Sequence, residues 1–463
     1  MVPHSFMEEF SELSLLDKRV SQRFVSTLDT FKDGGFESIN RSSSTWAQAK
    51  SMYRLFSNPK LEADKILEIH REQILWRTLS LDEGTIIAIQ DTTKLNFSRH
   101  PSMEGLGSIA MGGFGIKSRG CFLHPTLLMT ESERFLGIAD VVQWSRAKAS
   151  GESEQKKWFS CIPILGELAH TSGKRIIHVA DRESDQVALY QRLTEVKVNY
   201  VIRAKKKMRS SQNINGFHLP NADLLKYVEK TFDKLGTMLL ELSGREPRDP
   251  HGKNAKRGSY NRTATLEILF GKLEQGELTH NVVVAKERLA ESQGGICWIL
   301  KTNLEVDGYD GALKIIDFYK KRWHIETYFK VLKTTCGIEK SCLREYERLK
   351  KYVLAQVLIG WRIYALKCES INNPLNSCEE VLTQDEMILL EAKYSKSNTQ
   401  KERTEDGLFT IREAVKLIAQ MGGHLGRKGD GPPGVVTLGR GLDRLEAMAE
   451  GVRQYREYGC PIE

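Results

Sequence analysis

Two short apolar runs, each ending in an aspartate, constrain the fold of this chain more than any other feature. The first run extends from Thr85 to Asp91 and the second from Arg175 to Asp181. Continuous apolar runs of this length are typical of buried strands in a mixed or parallel sheet. A carboxylate at the end of such a strand lies at the sheet edge, where open α/β folds bind ligands. The runs therefore predict an α/β core with two acidic side chains at its binding edge.

A third carboxylate, Glu326, lies in a segment with helical periodicity. At ~100° per residue, one narrow polar stripe is formed by Tyr319, Arg322, Glu326, Lys330 and Lys333. The opposite side carries Ile325, Tyr328, Val331 and Leu332. This segment taken alone predicts an ordinary amphipathic surface helix, whose Glu/Lys pair contributes only a few tenths of a kcal/mol. The two aspartates favour another interpretation, because two aspartates and one glutamate can hold two divalent ions beside phosphates.

The chain resembles the DDE transposases of bacterial insertion sequences, in the IS-four superfamily and especially the Tn-five type. The resemblance is carried by four features: Y-x2-R-x3-E-x6-K from Tyr319 to Lys333, Q-D-T-T from Gln90, A-D-R-E-S-D from Ala180, and a tryptophan-bearing strand at Trp298. It extends from about Leu15 to the C-terminus. It implies an RNase-H-like catalytic core interrupted by a β-rich insertion.

The resemblance also implies roles for individual residues. Asp91, Asp181 and Glu326 would be catalytic and would bind two Mg²⁺ ions, with Mn²⁺ able to substitute. Phosphate or DNA binding would fall to Tyr319, Arg322, Lys330, Lys333, Arg203, Lys205 and Trp298. In the family the tryptophan stacks on a flipped base, although most tryptophans are core residues. Trp323 and His324 are expected to pack beside the site and support it.

The length of 463 residues exceeds what one hydrophobic core supports, so several domains are expected. We predict a helical N-terminal domain at residues 1–75 that binds transposon ends. The catalytic core would cover 76–370, with its β-rich insertion at about 206–298. A helical dimerisation domain would cover 371–463. A basic loop of the insertion, from Arg245 to Arg262, is expected to contact the DNA backbone.

The predicted last helix carries one apolar seam, with residues recurring at intervals of three and four. The seam consists of Leu438, Leu442, Leu445, Met448, Val452 and Tyr455. It either docks on its own core or pairs with a second copy, and the family dimerises through its C-terminal helices. Gly439 and Gly441 lie where relatives often carry tryptophans, which departs from the family pattern.

Charge and cysteine content limit the compartment and the partners. The net charge is +8, which is compatible with a polyanionic partner, and the eight cysteines show no zinc-binding spacing. We see no signal peptide and no transmembrane segment, so a cytoplasmic protein without membrane contact is expected. The expected partners are double-stranded DNA, both transposon ends and target, and a second copy in a two-ended complex.

The predicted function is cut-and-paste transposition, in which transposon ends are hydrolysed and the freed 3′-OH attacks target DNA. The resemblance further implies a hairpin intermediate and cleavage of each end by the partner subunit. Two alternatives remain: an RNase-H-like nuclease without strand transfer, or a non-catalytic DNA-binding relic. The end-binding region disfavours the first, and the intact set of carboxylates disfavours the second.

Overall fold

The computed structural model describes most of the chain. The described residues are 6–15, 17–34, 38–110, 118–147, 154–205, 213–214, 217–218, 224–245, 259–288, 295–394, 401–427 and 430–458. Most of the basic loop between Arg245 and Arg262 lies outside them. The chain divides into two compact units. We call residues 1–174 with 323–463 the terminal unit, and residues 175–322 the central unit.

Helices and strands alternate through the middle of the chain, and the described elements near both ends are helices. The helices are α1 (Phe6–Glu9), α2 (Lys18–Gly34), α3 (Ile39–Ser42), α4 (Trp46–Phe56), α5 (Ala63–Leu79), α6 (Ile162–Ser172), α7 (Val187–Glu195), α8 (Leu224–Thr231), α9 (Gly308–Lys320), α10 (Trp323–Lys330), α11 (Tyr346–Asn372), α12 (Gln384–Tyr394), α13 (Ile411–Met421) and α14 (Val435–Tyr458). The strands are β1 (Thr85–Gln90), β2 (Thr93–Asn96), β3 (Gly107–Ser108), β4 (Arg119–Thr130), β5 (Phe135–Trp144), β6 (Arg175–Ala180), β7 (Asn199–Arg203), β8 (Asn213–Ile214), β9 (Phe217–His218), β10 (Asp233–Arg245), β11 (Ser259–Gln275), β12 (Leu278–Glu287) and β13 (Cys297–Thr302).

In the terminal unit, β4 is the strand around which the others are arranged. It pairs antiparallel with β1, β2 and β5. Every residue of β1 is buried, as the continuous apolar run predicts. Its last residue, Gln90, lies opposite Thr126 and donates from Nε2 to the Thr126 hydroxyl at 2.9 Å. The register therefore fixes the strand end from which Asp91 follows.

Helix α11 forms the centre of the helical part of the terminal unit. It is buried around its whole circumference between Tyr352 and Leu366, which identifies a core helix and not a surface one. Its buried arginine, Arg362, pairs with Glu386 of α12 at 3.3 Å and with Glu446 of α14 at 3.2 Å. Burial opposes the charge of Arg362, but the two glutamates outweigh it and raise its pKa. Three helices are thus linked by one buried ionic group.

The C-terminal seam docks on its own unit over its first half. Leu438, Leu442 and Leu445 are buried, and α14 packs on α13, α2 and α12. Met448 and Tyr455, from the second half, are 38% and 50% exposed. The seam was predicted either to dock on its own core or to pair with a second copy. Docking on its own core applies to the first half of the seam, and only the second half has exposed seam residues that could pair.

Two glycines explain how closely α14 approaches α13. A Cβ on Gly441 would lie 1.7 Å from the Ile418 carbonyl oxygen, and a Cβ on Gly422 would lie 1.8 Å from the Thr437 carbonyl oxygen. At Gly439 a Cβ would lie 2.0 Å from Thr335 Cγ2. The glycines that depart from the family pattern are therefore points of close helix packing, where a larger residue has no room.

The central unit is built on a mixed sheet. Strands β6 and β7 are parallel, and β7 continues through β13, β12 and β11 in antiparallel pairs. β10 pairs with β11 to form a long hairpin, and α8 covers this part with Leu224 and Val228. Helix α9 packs on β7, β12 and β13. The predicted fold class, α/β with a β-rich insertion and helical ends, is confirmed. No helix in the described part of the chain combines the length and apolar character of a membrane span.

Candidate active site

Asp91 follows directly after β1 in the terminal unit and is partly exposed. Its Oδ1 accepts a hydrogen bond from the Thr92 backbone N–H at 2.7 Å. The Thr92 hydroxyl lies 2.9 Å from Nδ1 of the buried His124, whose ring packs edge-on against Trp158 with centroids 4.5 Å apart. The backbone after Asp91 is thus held by a histidine on β4. Sequence reasoning missed His124, because only the β1–β4 register brings it to Thr92.

Glu326 lies on α10, also in the terminal unit. Glu326 is partly exposed, Lys330 is exposed and Lys333 is partly exposed, whereas Ile325 and Tyr328 are buried. Lys333 belongs to a π-helical turn, Val331–Thr335, that continues from α10. Such turns occur often at functional sites. Burial lowers the pKa of Lys333, and Glu339 partly offsets this shift.

The predicted single helix from Tyr319 to Lys333 is wrong. Helix α9 ends at Lys320, and the Arg322 N–H bonds to the Tyr319 carbonyl at 3.0 Å in a tight turn before α10 starts at Trp323. Neither glycine nor proline marks this break. Tyr319 and Arg322 therefore belong to the central unit, and Glu326 to the terminal unit. The sequence pattern could not distinguish two consecutive helices from one.

Asp181 follows β6 in the central unit and is partly exposed. Its Oδ1 accepts the Glu183 N–H at 2.8 Å, and its carbonyl oxygen accepts the Ser184 hydroxyl at 2.7 Å. These bonds fold the motif after Asp181 into a 3₁₀ turn, Arg182–Ser184. The predicted position of Asp181 at a strand end is confirmed, and its side chain is oriented by its own turn.

Tyr319, predicted to face solvent, is 4% exposed. Its ring packs edge-on against Trp298 at a centroid distance of 5.4 Å, and the Arg322 guanidinium lies 5.9 Å from the ring centroid. Burial raises the pKa of Tyr319, while Arg322 and Arg203 act in the opposite direction. The packing against Trp298 explains why the phenol leaves the solvent-facing stripe. Trp298 itself is partly exposed.

The two basic residues after β7 differ in their surroundings. Arg203 is partly exposed and donates from its guanidinium to the Cys297 carbonyl at 3.0 Å. Lys205 is exposed, and both its N–H and its Nζ bond to Asp185, at 2.8 Å to Oδ2 and 3.0 Å to the carbonyl oxygen. The structure thus brings Arg203, Tyr319 and Trp298 together, and links Lys205 to the turn after Asp181.

Trp323 and His324 behave differently from each other. His324 lies 2.7 Å from the Tyr364 hydroxyl through Nδ1 and 3.3 Å from Glu133 through Nε2, in agreement with a supporting role. Trp323 is 64% exposed, so the prediction that it packs is wrong. The first residue of α10 has its side chain in solvent because α10 buries the face that carries Ile325 and Tyr328.

Helix α4 presents a basic and aromatic face in the N-terminal part of the chain. Trp46 is 74% exposed, and Lys50 and Arg54 follow at intervals of four on the same exposed face. The opposite face buries Met52 and Leu55. The sequence predicted DNA binding for this part of the chain but did not identify this face.

No group of three or more His, Cys, Asp or Glu side chains arranged to hold a metal is found among the described residues. The predicted set of Asp91, Asp181 and Glu326 is divided between the two units. Its use as a metal site remains a prediction. Carboxylate oxygens are nevertheless the donors that Mg²⁺ and Mn²⁺ prefer, so the donor chemistry fits.

Three known families match successive parts of the chain. Residues 5–61 match a transposase DNA-binding domain, residues 162–359 a transposase DDE domain, and residues 358–461 the transposase Tn5 dimerisation domain. These matches define an enzyme that binds DNA, cleaves it and transfers its strands, and that forms homodimers. The chain belongs to the Tn5-like DDE transposases of the IS4 family and is a cut-and-paste transposase. DDE transposase domains generally depend on divalent metal ions.

Proposed function

We propose that Asp91, Asp181 and Glu326 are the catalytic carboxylates with which this transposase cuts its DNA ends. The observation that carries the proposal is the position of the aspartates, each directly after a buried strand, with Glu326 on a helix inside the matched DDE domain. Buried strands hold such side chains at fixed positions. The Thr92 and Glu183 N–H groups orient the two aspartates further.

We propose that the three carboxylates hold two Mg²⁺ ions, for which Mn²⁺ can substitute. When bound, such ions activate the attacking oxygen and stabilise the leaving oxygen of a phosphodiester. Arg322, Lys330 and Lys333 bind the phosphates that flank the cut, and the planar guanidinium of Arg322 suits bidentate phosphate contact. Lys333 is partly buried, which lowers its pKa, and the interaction of a partly buried ammonium with a phosphate is screened less than that of an exposed lysine.

Trp298, with Tyr319 packed against its ring, is proposed to stack on a base at the cleaved end. Stacking contributes about 1–3 kcal/mol per base. We expect Trp298→Ala to slow hairpin formation and reopening about tenfold or more, with the first nick less affected. An abasic or mismatched nucleotide near the cut should partly rescue this variant, because the unstacking cost falls. Lys333→Ala is the control, and it should not be rescued. Equal slowing of nick and hairpin without rescue would assign Trp298 to the core.

We propose that the exposed face of α4 contacts the transposon end, with Lys50 and Arg54 on phosphates and Trp46 beside them. Trp46→Ala should weaken single-end binding about tenfold, at the lower end of what an aromatic contact contributes. Trp76→Ala is the matched control, because Trp76 is 66% exposed but lies beyond the matched DNA-binding segment. Gel-shift affinities of both variants decide the proposal. Equal behaviour of the two variants would remove Trp46 from the interface.

The second half of α14 is proposed to pair two subunits in a complex that holds two ends. Deleting the whole terminal region would also remove core residues such as Leu438 and Leu442, so substitution is the better test. The double variant Met448→Asp/Tyr455→Asp should bind single ends normally and lose most of the two-ended complex on native gels. Leu375→Asp, at an apolar residue that is 62% exposed in the same matched domain, is the control.

Strand transfer tests the proposed function directly. Purified chain, DNA carrying both transposon ends, Mg²⁺ and a supercoiled target plasmid should yield joined products as well as cleaved ends. Cleavage without joining would instead support a nuclease without strand transfer, and end binding without cleavage would support a relic. We further propose the domain limits 1–75, 76–370 and 371–463, and a cytoplasmic location, where the DNA substrate of a bacterial element lies.

A further inference from the structure

The central unit contains a buried ion pair that the proposed chemistry does not use. Lys301 on β13 is 1% exposed, and its Nζ lies 3.0 Å from Asp185 Oδ1 and 3.0 Å from Gln275 Oε1. The same ammonium lies 5.5 Å from the centroid of the Tyr190 ring. A buried ammonium persists only with such partners, because removing it from water is costly. Lys301 therefore serves the interior of the unit and not the DNA surface.

Asp185, the last residue of the A-D-R-E-S-D motif, uses both of its carboxylate oxygens. Oδ1 accepts from Lys301 and from the Tyr190 hydroxyl at 2.7 Å, and Oδ2 accepts the Lys205 N–H at 2.8 Å. The Asp185 carbonyl oxygen also accepts from Lys205 Nζ at 3.0 Å. Burial alone would raise the pKa of Asp185, but Lys301 and the Lys205 N–H bring it below its usual range. The carboxylate is therefore charged in the folded chain.

We propose that Asp185 and Lys301 are positioning residues, which together hold Lys205 against the turn that follows Asp181. The proposal rests on the proposed function, and on the role in phosphate or DNA binding that the family resemblance implies for Lys205. Asp185 lies four residues after Asp181 and bonds to Lys205, two residues beyond the end of β7. One carboxylate thus joins the segment that carries a catalytic aspartate to the segment that carries a DNA-binding lysine. Lys301 neutralises this carboxylate from inside.

The chemistry of asparagine gives a test that a general loss of stability would not imitate. In Asp185→Asn one of the two carboxylate oxygens becomes an NH2 group. Because Lys301 and the Lys205 N–H bind different oxygens of Asp185, one of these two donors must then face another donor. In the double variant Asp185→Asn/Lys301→Met the buried ammonium is absent. The amide oxygen can then accept from Lys205, while its N–H groups can donate to the Tyr190 hydroxyl oxygen. The second substitution should therefore rescue the first.

Two quantities are measured on the full chain. The first is amide hydrogen exchange in peptides whose last residue is Lys205, and the second is the affinity for transposon-end DNA as a function of salt concentration. Asp185→Asn should speed exchange at Lys205 about tenfold, as expected when one such bond is removed. It should also reduce the salt slope, which is the slope of log affinity against log salt concentration, by about the amount expected for one lost phosphate contact. Lys205→Ala should have the same effect on the slope, with no further reduction in the Asp185→Asn/Lys205→Ala variant. The Asp185→Asn/Lys301→Met variant should recover both quantities to within about threefold.

Exchange in α11 of the terminal unit serves as the folding control and should be unchanged. Unchanged exchange at Lys205 in Asp185→Asn, or no recovery in Asp185→Asn/Lys301→Met, would overturn the proposal. If exchange responds as expected but Lys205→Ala binds ends normally, the positioning is supported and the DNA-binding role of Lys205 fails.

Discussion

Asp181→Asn should reduce cleavage of transposon ends by at least about a thousandfold while leaving end binding almost unchanged. The amide keeps the size of the side chain but loses the charge that holds a divalent ion. An ion that stabilises several kcal/mol of transition-state charge accounts for a rate loss of this size. Binding should persist or tighten slightly, because a negative charge facing DNA is removed. Nicking of a labelled end in Mg²⁺, compared with a gel-shift titration, measures both effects.

Asp91→Asn and Glu326→Gln should behave in the same way as Asp181→Asn. The control is Glu195→Gln, which neutralises an exposed carboxylate in the central unit, paired with Arg192 at 3.6 Å. Exposed pairs of this kind contribute at most about 1 kcal/mol to stability, so the control should cleave like the unmodified chain. A cleavage rate within about threefold of normal in any of the three variants would exclude that residue from the site.

Gly441→Ala should lower the free energy of unfolding of the terminal unit by about 3 kcal/mol, because overpacking of a core costs about 1–3 kcal/mol or more. The added Cβ would lie 1.7 Å from the Ile418 carbonyl oxygen, and backbone atoms cannot move aside as a flexible side chain can. Helices α13 and α14 would have to separate. Urea unfolding followed by tryptophan fluorescence, to which the buried Trp361 contributes, measures the change.

Gly451→Ala on the same helix is the matched control, because a Cβ there meets nothing within 4 Å. Alanine in place of an exposed helical glycine usually stabilises by about 0.5–1 kcal/mol, so the two substitutions should have opposite signs. Two variants that stabilise equally would show that α13 and α14 do not cross at Gly441. The prediction also concerns dimerisation, because α14 must pack on α13 before its second half can pair with another subunit.

Much of the fold follows from local patterns in the chain. The continuous apolar runs before Asp91 and Asp181 predict two strands that end where β1 and β6 end. The prediction succeeds because a strand that is buried on both faces is apolar at almost every position. The helical ends of the chain and the β-rich insertion are likewise predicted by the periodicity of their apolar residues. The family resemblance, carried by the spacing around Glu326, is confirmed by the matched domains.

Other features depend on contacts between residues far apart in sequence. The break between α9 and α10, the burial of Tyr319 against Trp298, and the exposure of Trp323 leave no mark in the local periodicity. The C-terminal seam shows the same limit. Its spacing fixes which residues share a face, but not whether that face meets its own core or another subunit.

The sequence alone determined the chemistry: which carboxylates end strands, which cations accompany Glu326, and which family the chain resembles. These properties are set by residue types at fixed spacings within one strand or helix. The tertiary structure decided the surroundings of those groups, including the His124 contact to Thr92 and the Lys301–Asp185 pair, whose carboxylate also accepts the Lys205 N–H. Such contacts join residues from 20 to 116 positions apart. They exist only once strand register and helix packing have brought distant segments together.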